Sequence, residues 1–303
     1  MSLPEDYTAY PRRAYGMDQD RYDWRPECGR QKVSWPGGKS VAGLIVVPVE
    51  EFMLKPSGKP FMHPSAVNGV YPDLRQYTAR DYGNRVGIFR ILDTLKANGL
   101  TATVPINASL LETRRYLIDQ ILADGHEIAA YGLDTDHIHV TSLGEETETA
   151  WIEQTRAAFE AIGLRPRAWM SPARQQSLVT LDLIAKAGFD VCLDWEQDSV
   201  PVTMGTSGGP VSAVPVTMEL DDRALMIDRR QTEQSWSDQI LAALDYLKER
   251  APVEGGQVLS FTLTPFVSGQ PSRTWALRKV LEALGADDAL WSAGASAIAD
   301  AVK

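Results

Sequence analysis

The stretch VAGLIVVPVEE, residues 41–51, places nine almost entirely apolar residues directly before two glutamates. An apolar run without alternation is typical of a parallel strand that is covered on both faces. Further along the chain, short apolar runs alternate with amphipathic helical patterns, which is typical of repeated βαβ units. The pattern predicts an α/β fold, an irregular (β/α) barrel of seven or eight strands, with an open doubly wound sheet as the alternative. Further strands are predicted at 101–106, 127–131, 167–170, 190–194, 257–264 and 289–294.

Helical periodicity fills the gaps between these strands, beginning with residues 84–98. Residues 211–230 are predicted to form either a hairpin or a strand with a turn at Asp221-Asp222. Two long loops, 52–82 and 205–210, are predicted to be functional segments, because long loops in compact domains usually form lids or binding surfaces. The remaining helices are predicted at 113–124, 142–162, 178–187, 234–250 and 272–284.

The composition of the chain argues against two classes of binding partner. A formal net charge of −10 and a pI near 5.0, without any basic run, argue against nucleic acid and anionic membranes as partners. No signal-peptide pattern or membrane-length apolar run is visible, and the two cysteines suggest neither a disulfide framework nor a metal cage. We therefore expect a cytoplasmic protein. Residues 1–40 are predicted to be an extended arm, lying on the barrel or on a neighbouring subunit, and residues 41–303 to be one barrel domain.

Polar side chains follow several of the predicted strands. In parallel barrels, the carboxyl ends of the strands form the active site. Two carboxylates, two hydroxyls, a guanidinium and an indole are therefore expected to converge on one pocket, which suits acid/base hydrolysis of a polar substrate. These residues are Glu50, Glu51, Tyr131, Arg174, Trp195 and Thr264.

Seven motifs in order carry a resemblance that covers roughly residues 35–285. The chain resembles the polysaccharide deacetylases, and more closely their allantoinase and cyclic-imide-hydrolase relatives. The resemblance implies a barrel fold and hydrolysis of a carbon–nitrogen bond. The motifs are WPGG (35–38), VPVEE (47–51), RDYGNRVGIFRILDTL (80–95), GHEIAAYG (125–132), RPRAWMSP (165–172), CLDW (192–195) and TPFVSGQPSR (264–273).

The resemblance also assigns expectations to individual positions. Glu50 and Glu51 stand where the deacetylases carry two aspartates, one a catalytic base and the other a metal ligand. The His-x-x-x-His metal motif is replaced by Tyr131 and Thr135, and the histidine of the last motif by Thr264. These departures, and the metal-free working of the allantoinase-like relatives, imply a site without metal or other cofactor. The alternative is a rearranged metal site that uses His137 or His139 together with Glu51.

A metal-free mechanism follows from these residues. Adjacent carboxylates in a closed pocket repel each other, so one of Glu50 and Glu51 is expected to hold its proton more tightly. One glutamate would deprotonate water and the other would protonate the leaving nitrogen, while Tyr131 and Thr264 donate to the oxyanion and Arg174 assists by its charge. Further substrate contacts are expected from Trp195, which could equally belong to the core. They are also expected from Arg80, Asp81 and Tyr82, just before the first predicted helix. Asp81 could alternatively cap that helix.

Three functions are consistent with the sequence. The first is a metal-independent hydrolase of a non-peptide carbon–nitrogen bond in a cyclic imide, a ureide or a similar small amide. The second is a catalytically inactive barrel that binds a small molecule or serves as a partner subunit. The third is a sugar deacetylase with a rearranged metal site. The expected partner is a small-molecule substrate, and the aromatic arm leads us to expect a homo-oligomer.

Overall fold

The computed structural model describes residues 3–9, 12, 16–57 and 72–302. Strand β1 (Val41–Val46) lies next to the last strand in the order of the sheet, and all six of its residues are buried. It pairs in parallel with β8 along its whole length, with β2 near its carboxyl end and with β9 near its amino end. The other strands are β2 (Ala102–Ile106), β3 (Glu127–Ala130), β4 (Ala168–Trp169), β5 (Val191–Cys192), β6 (Val202–Met204), β7 (Val211–Ala213), β8 (Gln257–Thr262) and β9 (Leu290–Ser292).

The order of these strands decides between the two predicted architectures. It runs β6-β7-β5-β4-β3-β2-β1-β8, and every ladder is parallel except β6–β7. Strands β1 to β5 are added in one direction, without the reversal that defines a doubly wound sheet. The backbone N–H of Val258 in β8 donates to the carbonyl of Ser199, just before β6, at 2.8 Å, which brings the ends of the sheet together. The predicted irregular (β/α) barrel is therefore confirmed.

Helices follow the strands as the sequence periodicity predicts, with one extension. The predicted loop 52–82 ends earlier than expected, because residues from Leu74 onward are already helical, and residues 58–71 lie outside the described residues. A π-helical turn, Gly83–Gly87, joins α1 to α2. The helices are α1 (Leu74–Tyr82), α2 (Ile88–Ala97), α3 (Arg115–Ala123), α4 (Glu145–Ala161), α5 (Thr180–Lys186), α6 (Glu233–Glu254), α7 (Pro265–Ser268), α8 (Thr274–Gly285) and α9 (Ala295–Asp300).

The π-helical turn packs directly against the segment that follows β8. A Cβ atom added at Gly87 would lie 2.0 Å from the carbonyl oxygen of Pro265, and one added at Gly269 would lie 2.3 Å from the Cα of Gly87. Only glycine allows backbones to approach this closely. This contact fixes α1 and α2 relative to the end of β8.

The predicted hairpin at 211–230 is wrong. The antiparallel pair is β6 with β7, joined by residues 205–210, so that loop is a hairpin connection. Residues Arg223–Asp228 instead form a second π-helical turn. Asp221 accepts a hydrogen bond from the backbone N–H of Ala224 at 2.9 Å, so it caps a helical turn rather than occupying a β-turn. Aspartate is common in both settings, which explains the mistake.

Buried side chains alternate between the two faces of β1. Ala42, Leu44 and Val46 belong to the cluster inside the barrel, whereas Val41 and Ile45 belong to the larger cluster beneath the helices. Because successive side chains of a strand point to opposite faces, the residues that follow β1 inherit the same alternation. This parity determines where the two glutamates point.

The described part of the N-terminal arm lies on the barrel of its own chain. Arg21 forms two hydrogen bonds to the carboxylate of Asp182 in α5, at 2.5 and 2.8 Å. Arg30 pairs with Asp198, and Trp35 is buried against the barrel at 1% exposure. Among the described residues, no helix has the length and apolar character needed to cross a membrane.

Candidate active site

A cavity of 580 Å³ opens at the carboxyl ends of the strands. This is the edge at which parallel barrels place their sites. Its polar lining comes from segments after β1, β3, β4, β7 and β8, together with α1. The polar residues that define it include Glu50, Arg80, Tyr131, Arg174, Asp221, Arg223 and Thr264.

Glu50 follows strand β1 and is the most deeply buried carboxylate in the lining of the cavity. Its side chain shares the parity of Ala42, Leu44 and Val46, so it points into the barrel, and the residue is only 9% exposed. The hydroxyl of Tyr131 donates to its Oε1 atom at 3.2 Å. Burial raises the pKa of Glu50, while the charge of Arg223 and the Tyr131 hydroxyl oppose that rise. A carboxylate with a raised pKa is a stronger base than an exposed one, which suits proton abstraction.

Glu51 points to the other side of the same segment. It does not line the main cavity but a small crevice beside Tyr77, Asp81 and Asn84. It has the parity of Val41 and Ile45, which face the helices. The predicted convergence of both glutamates on one void is therefore corrected: only Glu50 faces the 580 Å³ cavity.

Two asparagines hold the backbone that carries Glu50. Asn84 donates to the carbonyl oxygen of Glu50 at 2.7 Å, and Asn107 accepts the backbone N–H of Glu51 at 2.8 Å. The side-chain amide of Asn107 also donates to the carbonyl of Tyr131 at 2.5 Å. One fully buried amide thus ties the end of β1 to the end of β3, which keeps Glu50 and Tyr131 in register.

The two residues at the positions of the metal motif are already engaged. Tyr131 is buried, and burial together with neighbouring Glu50 raises its pKa well above 10, so it remains a neutral hydroxyl. The Oγ1 atom of Thr135 donates to the backbone carbonyl of Glu51 at 2.7 Å. Both side chains therefore act as hydrogen-bond donors.

Arg174 reaches the cavity from a strained turn. Ala173 and Arg174 have φ angles of 55° and 54°, in the left-handed region that non-glycine residues rarely adopt. Asp194 secures this turn by accepting the backbone N–H of Ser171 at 2.9 Å and the side-chain amide of Gln176 at 2.6 Å. Strain of this kind persists where surrounding contacts fix the backbone, and it is common at functional sites.

The other predicted substrate-binding residues divide into two groups. Arg80 lies on α1, lines the cavity and stacks over the ring of Phe52 at 4.8 Å. Asp81 and Tyr82 follow it on the helix but do not line the cavity, because they point to other faces of α1. Trp195 also lies outside the lining, where its indole donates to Gln176 at 2.9 Å.

Sequence reasoning missed the contribution of the segment after β7. Asp221 and Arg223 both line the cavity, and the charge of Arg223 acts on both Glu50 and Asp221. Asp222 is fully buried and accepts the backbone N–H of Thr264 at 2.8 Å, so it fixes the end of β8. The signal was present, since Asp-Asp-Arg follows a buried strand as Glu-Glu follows β1, but the segment had been assigned to a hairpin turn.

The two loop histidines serve the surrounding structure. His137 contacts the carboxylate of Asp134 at 2.7 Å, and its ring packs edge-on to Trp151. His139 is 1% exposed and contacts the buried carboxylate of Glu148 at 3.1 Å. In the part of the chain that the structure describes, no three His, Cys, Asp or Glu side chains are grouped so that they could hold a metal ion.

Comparison with known proteins agrees with this geometry. Residues 77–192 match the family model described as polysaccharide deacetylase. This part of the chain is therefore similar to the polysaccharide deacetylases. The resemblance inferred from the motifs is thereby confirmed. Comparison with curated proteins found no match.

Three solved structures share the fold of most of the chain. Puue allantoinase is 21% identical, with a TM-score of 0.81 over 92% of this chain and 97% of its own. A probable polysaccharide deacetylase of Pseudomonas aeruginosa PAO1 is 23% identical, with a TM-score of 0.79 over 96% of this chain and 97% of its own. A protein of Mycobacterium smegmatis described as a polysaccharide deacetylase is 24% identical, with a TM-score of 0.72 over 89% of this chain and 93% of its own.

The metal ion that the resemblance to the deacetylases implies does not fit the residues found here. A zinc-type ion needs several nitrogen, sulfur or carboxylate ligands that converge on one point. The corresponding positions offer the neutral hydroxyls of Tyr131, Thr135 and Thr264, the first two of which donate to glutamate oxygens. The donor set is therefore suited to polarising a substrate by hydrogen bonds rather than to holding a cation.

Proposed function

We propose that this protein hydrolyses a non-peptide carbon–nitrogen bond in a small activated amide, such as a cyclic imide or a ureide, without a metal ion. The observation that carries this proposal is the placement of Glu50. It is a buried carboxylate on the wall of the cavity, with a hydroxyl donor at 3.2 Å and the guanidinium of Arg223 nearby. The similarity of residues 77–192 to the polysaccharide deacetylase model supports amide hydrolysis as the class of reaction.

Glu50 is the general base of the proposed reaction. Its carboxylate takes a proton from a water molecule, whose oxygen attacks the carbonyl carbon of the substrate. The Tyr131 hydrogen bond stabilises the ionised carboxylate before the reaction and orients it. The base is thus held in position before the substrate binds.

As water attacks the carbonyl carbon, negative charge develops on the carbonyl oxygen. This oxyanion requires hydrogen-bond donors. The hydroxyl of Thr264 and the guanidinium of Arg223 line the cavity and provide them. One such donor typically contributes about 2.7–4 kcal/mol to transition-state stabilisation. Stabilisation of this size without a Lewis acid favours carbonyls that are already activated, as in imides and ureides, over the acetamide of a sugar.

The shape of the cavity supports a small substrate. Its 580 Å³ falls within the range of small-molecule sites. Apolar side chains, among them Phe52, Met170 and Met218, alternate with the charged groups. A compact ring with polar edges matches this lining better than an extended saccharide chain does.

A substrate panel with metal control tests the proposal. The purified protein, with and without exhaustive chelation, would be assayed on succinimide, maleimide, hydantoin, allantoin and an N-acetylated chitooligosaccharide. We expect turnover of at least one imide or ureide at the same rate in both preparations. Activity that disappears on chelation would favour a rearranged metal site. Binding without turnover would favour the inactive barrel.

A further inference from the structure

Hydrolysis of an amide needs two proton transfers. As the carbon–nitrogen bond breaks, the leaving nitrogen must receive a proton, because an amide anion is a poor leaving group. Glu50 removes a proton from water, and Glu51 does not face the cavity. Tyr131 already donates its hydroxyl to Glu50, and an aliphatic hydroxyl such as Thr264 is too weak an acid. An acidic group on another part of the cavity wall would supply this proton without Glu50 having to serve first as base and then as acid.

Asp221 occupies the right place for that group. It lines the same cavity as Glu50 but comes from the segment after β7, on a different part of the wall. Its chain neighbour Asp222 binds the backbone N–H of Thr264 at 2.8 Å and accepts the hydroxyl of Ser268. These two bonds fix the segment that carries Asp221 against the end of β8.

We propose that Asp221 is the acid that protonates the leaving nitrogen, and that Asp222 is the positioning residue behind it. This inference rests on the proposed function, since it assigns the second proton transfer of that reaction.

The atoms of the step balance without another reactant. Water adds to the carbonyl carbon while its proton passes to Glu50, and the carbon–nitrogen bond then breaks as Asp221 gives its proton to nitrogen. The products are a carboxylic acid, which ionises, and an amine or amide. A proton moves from Glu50 to Asp221 through water in the cavity to restore the starting state.

The charges around Asp221 suit a proton donor. Burial raises the pKa of Asp221, and the charge of Arg223 and of Arg174 on the loop after β4 lowers it. The negative charge of Asp221 also contributes to the raised pKa of Glu50. Burial and the charge of Asp221 raise the pKa of Asp222 to about 7. Burial thus favours the protonated form of Asp221, which is the form that a proton donor needs.

Asp221 also has a structural contact that the experiment must separate from acid catalysis. Its Oδ1 atom accepts the backbone N–H of Ala224 at 2.9 Å and caps the π-helical turn. Asparagine can keep that hydrogen bond but cannot donate an acidic proton, whereas alanine loses both. Asp221→Asn and Asp221→Ala therefore distinguish the two roles.

The leaving group provides the decisive readout. We would measure kcat and kcat/KM of wild type, D221N and D221A on N-aryl succinimides whose ring substituents vary the acidity of the leaving nitrogen. D221N is expected to lose about 10²–10⁴-fold in kcat on the poorest leaving group, to recover on nitroaryl substrates, and to lose the alkaline limb of its pH profile. Asp245→Asn, on an exposed carboxylate, is the matched control.

Asp222→Asn tests the positioning residue. Removing a negative neighbour lowers the pKa of Asp221, so the alkaline limb should move to lower pH by about one unit. Circular dichroism of each variant checks the fold. A D221N enzyme with wild-type leaving-group dependence and alkaline limb, alongside an impaired D221A, would reduce Asp221 to a helix cap and overturn the inference. An active Glu50→Gln enzyme would instead overturn the proposed function itself.

Discussion

Replacing Tyr131 by phenylalanine removes one hydroxyl and leaves the buried ring in place. That hydroxyl donates to Glu50 Oε1 at 3.2 Å, in a setting where both residues are almost fully buried. A hydrogen bond to a charged group contributes about 1.5–3 kcal/mol, and a bond longer than the usual charge-assisted length belongs at the lower end. Since one pKa unit corresponds to about 1.36 kcal/mol, the loss should change the pKa of Glu50 by about one unit.

The sign of that change follows from which form the hydroxyl binds. It stabilises the ionised carboxylate, so its removal raises the pKa of Glu50 further above the ordinary value. A base must be ionised to act. The acidic limb of kcat/KM against pH should therefore move upward by about one unit in Tyr131→Phe, with the largest rate loss below the limb and little loss well above it.

The assay is imide hydrolysis followed by absorbance across a wide pH range, with wild type in parallel. Tyr116→Phe is the matched control, because Tyr116 is 73% exposed and lies outside the cavity lining. An acidic limb that stays in place, or one that moves downward, would refute the assignment of Glu50 as the base that Tyr131 stabilises.

Two further predictions concern the scaffold. Gly87→Ala places a Cβ atom 2.0 Å from the carbonyl oxygen of Pro265, so we expect it to lower the free energy of unfolding by about 3 kcal/mol in urea denaturation, while Gly205→Ala, with its nearest atom at 3.5 Å, should have little effect. Arg21→Met removes the ion pair that lowers the pKa of Asp182 to about 2. The ion pair stabilises the folded protein fully above the pKa of Asp182 in the unfolded chain, about 3.9, and this stabilisation is lost as pH falls through the lower pKa of Asp182 in the folded protein. The difference in free energy of unfolding between wild type and Arg21→Met should therefore shrink as pH falls from about 4 to about 2. Equal stability of Gly87→Ala and wild type, or a difference for Arg21→Met that does not depend on pH, would contradict these accounts.

Much of the fold could be predicted from hydrophobic pattern. The continuous apolar run of β1 and the alternation of strands and helices after it indicated a barrel, because burial on both faces leaves a clear mark on the sequence. The segment 211–230 was misjudged for an equally physical reason. Asp-Asp is compatible with a β-turn and with the start of a helical turn, and only tertiary contacts such as the bond from Asp222 to Thr264 decide between them.

The sequence placed several residues at the cavity because it located the ends of the strands that carry them. Glu50, Tyr131, Arg174 and Thr264 all line the cavity, each at or just after the end of a strand. Glu51 could have been separated from Glu50 by the alternation of side chains along β1, a signal that the sequence contains. Asp221 and Arg223 were missed because the segment that carries them was assigned to a turn, whereas Arg223–Asp228 forms a π-helical turn.

The comparison of two single variants tests the central claim most directly. Glu50→Gln and Glu51→Gln change neighbouring residues in the same way, but only Glu50 faces the 580 Å³ cavity. On the best substrate of the panel, we expect Glu50→Gln to lose at least about 10²-fold in kcat with its fold intact, and Glu51→Gln to retain most of its activity. Turnover that survives in Glu50→Gln and disappears in Glu51→Gln would contradict the account.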